Sequence, residues 1–102
     1  MKTPKPGQPV RGSQSGRPIM ALFDLLGRRW TLRILWELRE GPLGWSELRA
    51  RCENLSPTLL TQRLKELRES GILDGGGGLT AEGKSLIKAL HPLHRWAANW
   101  AK

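Results

Sequence analysis

The side chains best suited to contact a nucleic acid lie in one short stretch of this 102-residue sequence, between positions 56 and 65. A glutamine amide can pair with both polar groups on the edge of adenine, and a lysine can donate to guanine or to phosphate. A serine at the start of a helix, together with the free backbone N–H groups there, can bind a phosphate. The predicted base contacts are Thr58, Thr61, Gln62 and Lys65, with Ser56 as a phosphate contact.

Five arginines form a second group of candidate anion contacts. Guanidinium groups bind phosphates well, and the start of a helix also attracts anions. The predicted phosphate contacts from this group are Arg28, Arg29, Arg49, Arg51 and Arg63. A solvated basic face is the alternative for all of them, and Arg63 could instead pair with Glu47 or Glu66.

The composition favours a polyanionic partner and excludes several classes of protein. The chain has 17 Lys and Arg against 9 Asp and Glu, a formal net charge of +8, and nucleic acid is the commonest partner for such a charge. No segment approaches the ~18 consecutive apolar residues of a membrane-spanning helix. The first 20 positions also lack the apolar segment of a secretory signal. We therefore expect a DNA-binding protein without membrane contact, located in the cytoplasm and associated with the nucleoid.

The sequence contains no arrangement typical of an enzyme or a cofactor site. We find no nucleophile paired with a base, no phosphate-cradling loop and no catalytic carboxylate pair. His91 and His94 could both reach one metal ion, but no nearby Cys, Asp or Glu supplies a third ligand. Cys52 shares an apolar stripe with Trp45 and Leu48, so we interpret it as a small core residue, with a sensor thiol as the alternative. We expect no enzymatic activity, no metal and no cofactor.

The chain divides into a basic tail and one folded domain. Residues 1–17 are rich in Pro, Gly, Ser and Gln and have no periodic apolar pattern, so they cannot bury enough surface to offset the entropy of ordering. The first 20 positions hold four basic and no acidic residues, which is half of the net charge. We predict a disordered tail at 1–17, either solvated or acting as a cationic arm on DNA, and one domain at 18–102.

Helices must position the candidate contacts, and the apolar spacing predicts five of them. Proline suits the first turn of a helix, serine and threonine cap helix starts, and glycine ends helices. With these signals, we expect helices at 18–26, from about 30 to 40, at 46–52, at 57–70 and from 81 onwards. The second helix is apolar over more than half of its circumference, which places it at the centre of the domain.

The last helix has the spacing of an interface and an internal proline. Its apolar residues follow the seam spacing of a coiled coil, and Pro92 predicts a kink or two helices that meet near His91. Since a domain of this size is marginally stable alone, we interpret the seam as a dimer contact. An apolar effector pocket between the terminal helices is the alternative. The predicted interface residues are Leu22, Leu86, Leu90, Leu93, Trp96, Ala97 and Trp100.

The order of the elements indicates the fold class. A short helix, a turn and a Ser-capped helix with a polar outward face form a helix-turn-helix. Ile72 and Leu73, the four glycines at 75–78 and then Leu79 predict a small β-hairpin, which is the wing of a winged helix. The expected fold is mainly α with this small β-hairpin, a winged helix-turn-helix whose helix at 57–70 enters the DNA major groove.

The sequence also resembles a known family over residues 17–100. The matching segments are LGRRWTL at 26–32, WSELR at 45–49, LLTQRLKEL at 59–67, GIL at 71–73 and LTAEG at 79–83. They are similar to the HxlR-type winged helix-turn-helix regulators of bacteria, which belong to the MarR-like group. The resemblance implies a sequence-specific transcriptional regulator, more often a repressor, that binds a palindromic operator on double-stranded DNA. It also implies a homodimer formed through the first and last helices.

Two positions differ from the family pattern. Many members have a cysteine that senses electrophiles or oxidants just before the first helix, where this sequence has Arg17. The family wing usually carries Arg or Lys, but residues 71–83 contain neither, so we expect no side-chain contact from the wing to the minor groove. The short wing leaves an alternative open, a winged-helix protein-interaction module that has lost DNA binding. A small-molecule effector is compatible with the regulator.

Overall fold

Five helices make up the regular structure of the described residues. The computed structural model describes residues 3–102. Its helices are α1 (Pro18–Leu26), α2 (Thr31–Glu37), α3 (Trp45–Arg51), α4 (Pro57–Glu69) and α5 (Ala81–Trp100). The predicted number and order of helices are confirmed, although α2 is shorter than expected because residues 38–40 form turns. None of the described helices is long and apolar enough to cross a membrane.

Local signals in the sequence explain where the helices start and stop. The Ser56 hydroxyl accepts a hydrogen bond from the Leu59 N–H at 3.4 Å, and the Thr80 hydroxyl accepts from the Gly83 N–H at 3.0 Å. Each cap satisfies a donor that the helix itself leaves free. Gly71 follows α4 with a φ of 76°, the left-handed conformation that favours glycine. The structure confirms these three predicted boundaries.

The core is built around α2. Ile34 and Leu35 of α2 are completely buried, and they belong to one apolar cluster with Leu48 of α3 and with Cys52. Cys52 is buried and free, which confirms its interpretation as a core residue. Trp45 is expected on the same stripe but is 43% exposed, because it is the first residue of α3 and lies at the edge of the core.

The helices α3 and α4 form the helix-turn-helix. The turn between them contains Glu53 and Asn54, with φ angles of 61° and 56°, a conformation that costs about 1–2 kcal/mol per residue. The Arg49 side chain stabilises this turn. Its Nε donates to the Leu55 carbonyl oxygen at 2.6 Å, and its Nη2 donates to the Asn54 carbonyl oxygen at 3.4 Å.

The wing consists of one β-bridge between two of the residues predicted to form the hairpin. Leu73 and Leu79 form a single antiparallel bridge, and no longer strand is present among residues 3–102. The expected β-hairpin is therefore reduced to a closed loop. Asp74 closes it, because its Oδ1 accepts from the backbone N–H groups of Gly76 at 2.8 Å and Gly78 at 3.0 Å. A side chain that satisfies nearby backbone donors in this way competes with strand pairing.

Pro92 lies inside a single continuous helix. The helix α5 spans Ala81–Trp100, so two separate helices, one of the two expected alternatives, are not observed, and the kink stays a prediction. Proline removes one backbone hydrogen bond, but its φ angle is compatible with a helix. The carbonyl that loses its partner belongs to Lys88, four positions before Pro92, and Lys88 is exposed, so water can satisfy this group.

The segment before α1 is irregular and contacts two helices. Thr3 is buried, and its hydroxyl donates to Oε1 of Glu69 in α4 at 2.6 Å. Arg11 lies 3.4 Å from Asp24 of α1. Composition alone does not indicate these contacts. Residues 1–2 lie outside the described part of the chain, and the disorder predicted for 1–17 stays a prediction, as does the domain boundary at 18.

Gly83 permits a close approach between α5 and the wing. A Cβ at this position would overlap the Ile72 carbonyl oxygen and lie 3.0 Å from Cδ2 of Leu79. We expect Gly83→Ala to lower the free energy of unfolding by about 1–3 kcal/mol, as overpacking of a core does. Urea unfolding followed by circular dichroism measures this change.

Gly75→Ala is the matched control for that substitution. A Cβ at Gly75 would have no atom within 4 Å, so the change in unfolding free energy should stay below about 0.5 kcal/mol. Equal losses in the two variants would contradict the steric explanation.

Candidate nucleic-acid interface

The helix α4 presents a polar face to solvent. Thr58, Thr61 and Lys65 are exposed, and Gln62 beside them is half-buried. The opposite side of the helix packs into the core through Leu60. The four predicted base contacts therefore lie together on one side, which we call the α4 face (Thr58, Thr61, Gln62, Lys65).

Two of the predicted phosphate contacts are accessible near this face. Ser56 is exposed at the start of α4; its oxygen caps the helix, while its O–H remains a donor. Arg29 is exposed just before α2, and its side chain has no ion pair with any residue between 3 and 102. Both groups can meet an anion without breaking a contact that stabilises the fold.

A buried carboxylate lies behind the α4 face. Glu66 is 2% exposed, and its Oε2 accepts from Arg28 Nη1 at 2.7 Å and from Gln62 Nε2 at 3.1 Å. Its Oε1 accepts from Arg63 Nη1 at 3.1 Å. A buried carboxylate is strongly destabilising unless it is paired and hydrogen-bonded. We call this group of four side chains the Glu66 cluster (Arg28, Gln62, Arg63, Glu66).

The surroundings of Glu66 favour its ionised form. Burial on its own raises the pKa of the carboxyl group. The hydrogen bond from Gln62 and the positive charges of Arg28 and Arg63 outweigh burial, so the pKa of Glu66 is lower than its ordinary value. At neutral pH the carboxylate can therefore only accept hydrogen bonds.

Arg28 is buried and paired, which disfavours its predicted phosphate contact. The residue is 5% exposed. Its guanidinium lies 2.7 Å from Glu66 and 3.6 Å from Asp24, and both of these carboxylates are themselves buried. The i,i+4 spacing of Asp24 and Arg28 is a signal in the sequence, whereas Glu66 is 38 positions from Arg28.

Arg63 is largely occupied inside the protein. Its side chain is 15% exposed, and its Nε donates to the Arg29 carbonyl oxygen at 2.7 Å. The pairing with Glu66, one of the two alternatives to a phosphate contact, is the one observed. An open cleft of about 480 Å³ lies beside it, with Arg11, Arg29 and Gln62 also in its lining. Because most of the Arg63 side chain is buried, only the edge of its guanidinium is available to an anion in this cleft.

Arg49 and Arg51 differ in how easily they can bind an anion. Arg49 is half-buried, and its donors are used by the carbonyl groups of the turn before α4. Arg51 is exposed and lies 3.0 Å from Glu47 and 3.8 Å from Glu37. Exposed ion pairs contribute little stability, so Arg51 can exchange its partner for a phosphate. Arg49 would have to release the turn.

Apolar side chains are exposed on α1 and α5. Phe23 is 60% exposed, Leu93 is 59% exposed and Trp100 is 75% exposed. The rings of Trp96 and Trp100 stack, with centroids 5.5 Å apart. The other predicted interface residues are half-buried or exposed on the same two helices: Leu22, Leu86, Leu90 and Ala97. Contiguous apolar surface is typical of interaction sites.

The two histidines pack on a tryptophan ring. The ring centroids of His91 and His94 lie 6.3 Å and 5.0 Å from that of Trp36, and the Arg39 guanidinium lies 4.3 Å from the centroid of the Trp36 ring.

Residues 3–102 contain no group of three or more His, Cys, Asp or Glu that could hold a metal ion. Burial raises the pKa of the Cys52 thiol, so this thiol is not an activated one.

Comparisons with known proteins agree with this geometry. A family model described as HxlR-like helix-turn-helix matches residues 25–76. The uncharacterized HTH-type transcriptional regulator YvaP of Bacillus subtilis is 33% identical over 87 residues, covering 76% of this chain and 81% of that protein. An uncharacterized HTH-type transcriptional regulator of Methanocaldococcus jannaschii is 25% identical over 88 residues, covering 79% and 83%.

A solved structure is similar as well. The crystal structure of the quinone-bound YodB from Bacillus subtilis matches with a TM-score of 0.72 and 30% sequence identity. The match covers 79% of this chain and 96% of the YodB chain.

The Glu66 cluster predicts a particular pH dependence of stability. Because the pKa of Glu66 is lowered on folding, its stabilising contribution is present above the unfolded pKa of about 4.3 and is lost as the pH falls toward the folded pKa. We expect Glu66→Gln to lower the unfolding free energy at pH 7 by about 3 kcal/mol. It should also flatten the decline in stability below pH ~4.5.

Urea unfolding between pH 3 and pH 7 measures both effects. Gln62→Ala removes one of the contacts that lower the pKa of Glu66, so its stability should follow an intermediate pH dependence. Parallel curves for the wild type and Glu66→Gln would contradict the assigned role of the cluster.

Proposed function

Since the chain belongs to the HxlR-like helix-turn-helix family and is a DNA-binding transcription regulator, we propose that it acts as a homodimer on a roughly palindromic operator. Each subunit places α4 in the major groove, and occupancy of the operator represses transcription. The observation that carries this proposal is the α4 face, where four hydrogen-bonding side chains lie on one side of an otherwise core-packed helix. An interface of this kind contains both base and phosphate contacts.

The dimensions of α4 suit the major groove. The helix has 13 residues, and a B-DNA major groove is about 12 Å wide, enough for one helix. In a helix-turn-helix the N-terminal part of the second helix meets the base edges. Thr58, Thr61 and Gln62 lie in this part of α4, and Lys65 follows one turn later. We assign the base contacts to these four residues.

The phosphate contacts are fewer than the number of arginines suggests. Ser56, Arg29 and Arg51 are accessible, and they are the phosphate contacts in this proposal. Arg63 contributes through the edge of its guanidinium at the cleft, and Arg49 acts chiefly on the turn. The wing contributes no side-chain contact, because residues 71–83 contain no Lys or Arg and Asp74 places a negative charge at its tip.

The homodimer is formed by the exposed apolar residues of α1 and α5. These surfaces include Phe23, Leu93, Trp96 and Trp100, and their burial in a partner would add the apolar contact that a small domain lacks alone. A two-fold dimer presents two copies of α4 to successive major grooves about 34 Å apart. The two-fold symmetry is why a palindromic operator is expected, and the spacing sets the distance between its half-sites.

A small-molecule effector fits the same architecture. The similar YodB structure is quinone-bound, and this chain has an apolar groove of about 940 Å³ along α1 and α5, with Ile19, Leu22 and Leu86 in its lining. Cys52 is fully buried in the core, so a covalent reaction through this thiol is not part of the proposal. Leu22 and Leu86 also belong to the predicted dimer interface, so noncovalent binding of an apolar effector in the groove is the alternative use of this surface.

A protein-interaction module without DNA binding is the rival function. The small wing favours it, whereas the intact and accessible α4 face favours DNA binding. A DNA titration at two salt concentrations distinguishes the two. A regulator shows a steep salt dependence and a preference among sequences, and an interaction module shows neither.

Two substitutions separate base contacts from phosphate contacts. Gln62→Ala should cost ~1–3 kcal/mol on an operator selected from random DNA, with little effect on unrelated DNA. Arg29→Ala should weaken binding to both DNAs and reduce the magnitude of the salt slope by ~1. Fluorescence anisotropy titrations measure both, with concentrations corrected for the folded fraction. Equal losses on both DNAs for Gln62→Ala would contradict a base contact.

A charged residue in the apolar surface tests the dimer. Leu93 is exposed in the single chain, so Leu93→Glu should leave the fold intact, because it buries no charge, and should shift the protein to a monomer in sedimentation velocity. Ala98→Glu, on the same helix but away from the seam, is the matched control and should leave the dimer unchanged. A wild-type protein that sediments as a monomer would overturn the homodimer.

A further inference from the structure

We propose that Glu66 is a positioning residue for base recognition, which sets the orientation of the Gln62 amide and so selects adenine over guanine at the base pair that Gln62 contacts. The inference rests on the proposed binding of α4 in the major groove. It adds a buried residue, which touches no DNA, to the determinants of sequence preference.

The chemistry of the carboxylate determines which end of the amide faces it. An ionised carboxylate only accepts hydrogen bonds, and an amide has a donor nitrogen and an acceptor oxygen. Only Nε2 of Gln62 can therefore lie against Oε2 of Glu66, as it does at 3.1 Å. The reversed amide would place two acceptor oxygens together in a buried location, which is strongly unfavourable.

The carboxylate is itself held in place from two sides. Arg28 Nη1 lies 2.7 Å from the same Oε2, and Arg63 Nη1 lies 3.1 Å from Oε1. The Arg28 side chain is 2% exposed, and it also lies 3.6 Å from Asp24, so a turn toward solvent would remove its contacts with two buried carboxylates. Glu66 thus presents a fixed acceptor to Gln62.

The free groups of Gln62 match adenine better than guanine. The amide nitrogen carries two hydrogens, and one of them is donated to Glu66, which leaves Oε1 as an acceptor and the second hydrogen as a donor. In the major groove adenine presents one donor and one acceptor, whereas guanine presents two acceptors. A Gln62 that is fixed before binding also loses less side-chain freedom when the complex forms.

Replacement of Glu66 by glutamine removes this constraint while keeping the size of the side chain. The new amide can either accept from Gln62 or donate to it, so Gln62 can present its oxygen or its nitrogen to the DNA. We expect the preference for adenine over guanine to fall from about tenfold or more in the wild type, the scale of one bidentate contact, to about twofold in Glu66→Gln.

The experiment first locates the base pair and then compares the variants at it. An operator is selected from random DNA with the wild-type protein, and the contacted base pair is the one where Gln62→Ala loses its preference. The ratio of Kd values for adenine and guanine at that pair is then measured for the wild type, Glu66→Gln and Glu69→Gln. Glu69 lies on the same helix and its carboxylate bonds Thr3, so Glu69→Gln makes the same charge change and should keep the wild-type ratio.

The outcomes distinguish this inference from the proposed function. A loss of affinity in Glu66→Gln that is equal for adenine and guanine would show a purely structural role and overturn the inference, while DNA binding by α4 would stand. A wild-type protein without any sequence preference would overturn the proposed function itself.

A measurement on the wild type covers the case in which Glu66→Gln does not fold. The chain has three glutamines, and Gln8 and Gln14 are exposed, so their side-chain amide signals serve as internal references in NMR spectra. Gln62 should show slower hydrogen exchange than both, and its signals alone should shift as Glu66 is protonated. Gln62 signals that behave like those of Gln8 and Gln14 would overturn the inference.

Discussion

The buried contact between Arg28 and Glu66 joins α4, the helix proposed to enter the major groove, to the rest of the domain. Arg28 follows α1 in the sequence, and Glu66 lies in the second half of α4, 38 positions later. Neither charge would be stable alone in the interior, because each would lose its hydration without compensation. The position of α4 against the connection between α1 and α2 is therefore linked to the pairing of these two side chains.

Because several arginines make contacts inside the fold, the basic composition overstates the positive charge that is available to a partner. The formal net charge is +8, but Arg28 neutralises buried carboxylates, Arg49 holds the turn before α4, and Arg63 bonds a backbone carbonyl and Glu66. These three side chains stabilise the structure that presents the α4 face. The basic side chains that remain accessible to a partner form a smaller set, in which Arg29 and Lys65 are exposed.

Local signals in the sequence predict much of the fold, whereas the burial of Arg28 results from a contact between distant residues. Pro18, Ser56 and Thr80 each act within one turn of a helix, so their effect is visible from the sequence alone. The burial of Arg28 depends on a partner in another helix, which no local pattern reveals. The predicted strand positions of the wing, Leu73 and Leu79, do pair, but only as one bridge.

The same limit applies to the candidate site. The residue types of the α4 face are evident from helical spacing, whereas the sequence indicates the buried Glu66 behind it only as an alternative partner of Arg63. Glu66 lies four positions after Gln62, and side chains at this spacing are neighbours on a helix, so the sequence does predict their proximity. The direction in which the Glu66 side chain faces is set by the packing of α4 on Arg28. Since these two residues are distant in the sequence, their contact is not predicted from local patterns.

The start of α5 is hydrogen-bonded to the residues that follow α4, so the long helix is held at one end. Thr80 donates its hydroxyl to the Gly71 carbonyl at 2.6 Å and its N–H to the Ile72 carbonyl at 3.0 Å, while Gly83 lets the helix rest directly on Ile72. Twenty helical residues extend about 30 Å from this junction. A difference of about 5° in the orientation of α5 at this junction corresponds to a displacement of about 2.5 Å at the end that carries Trp100.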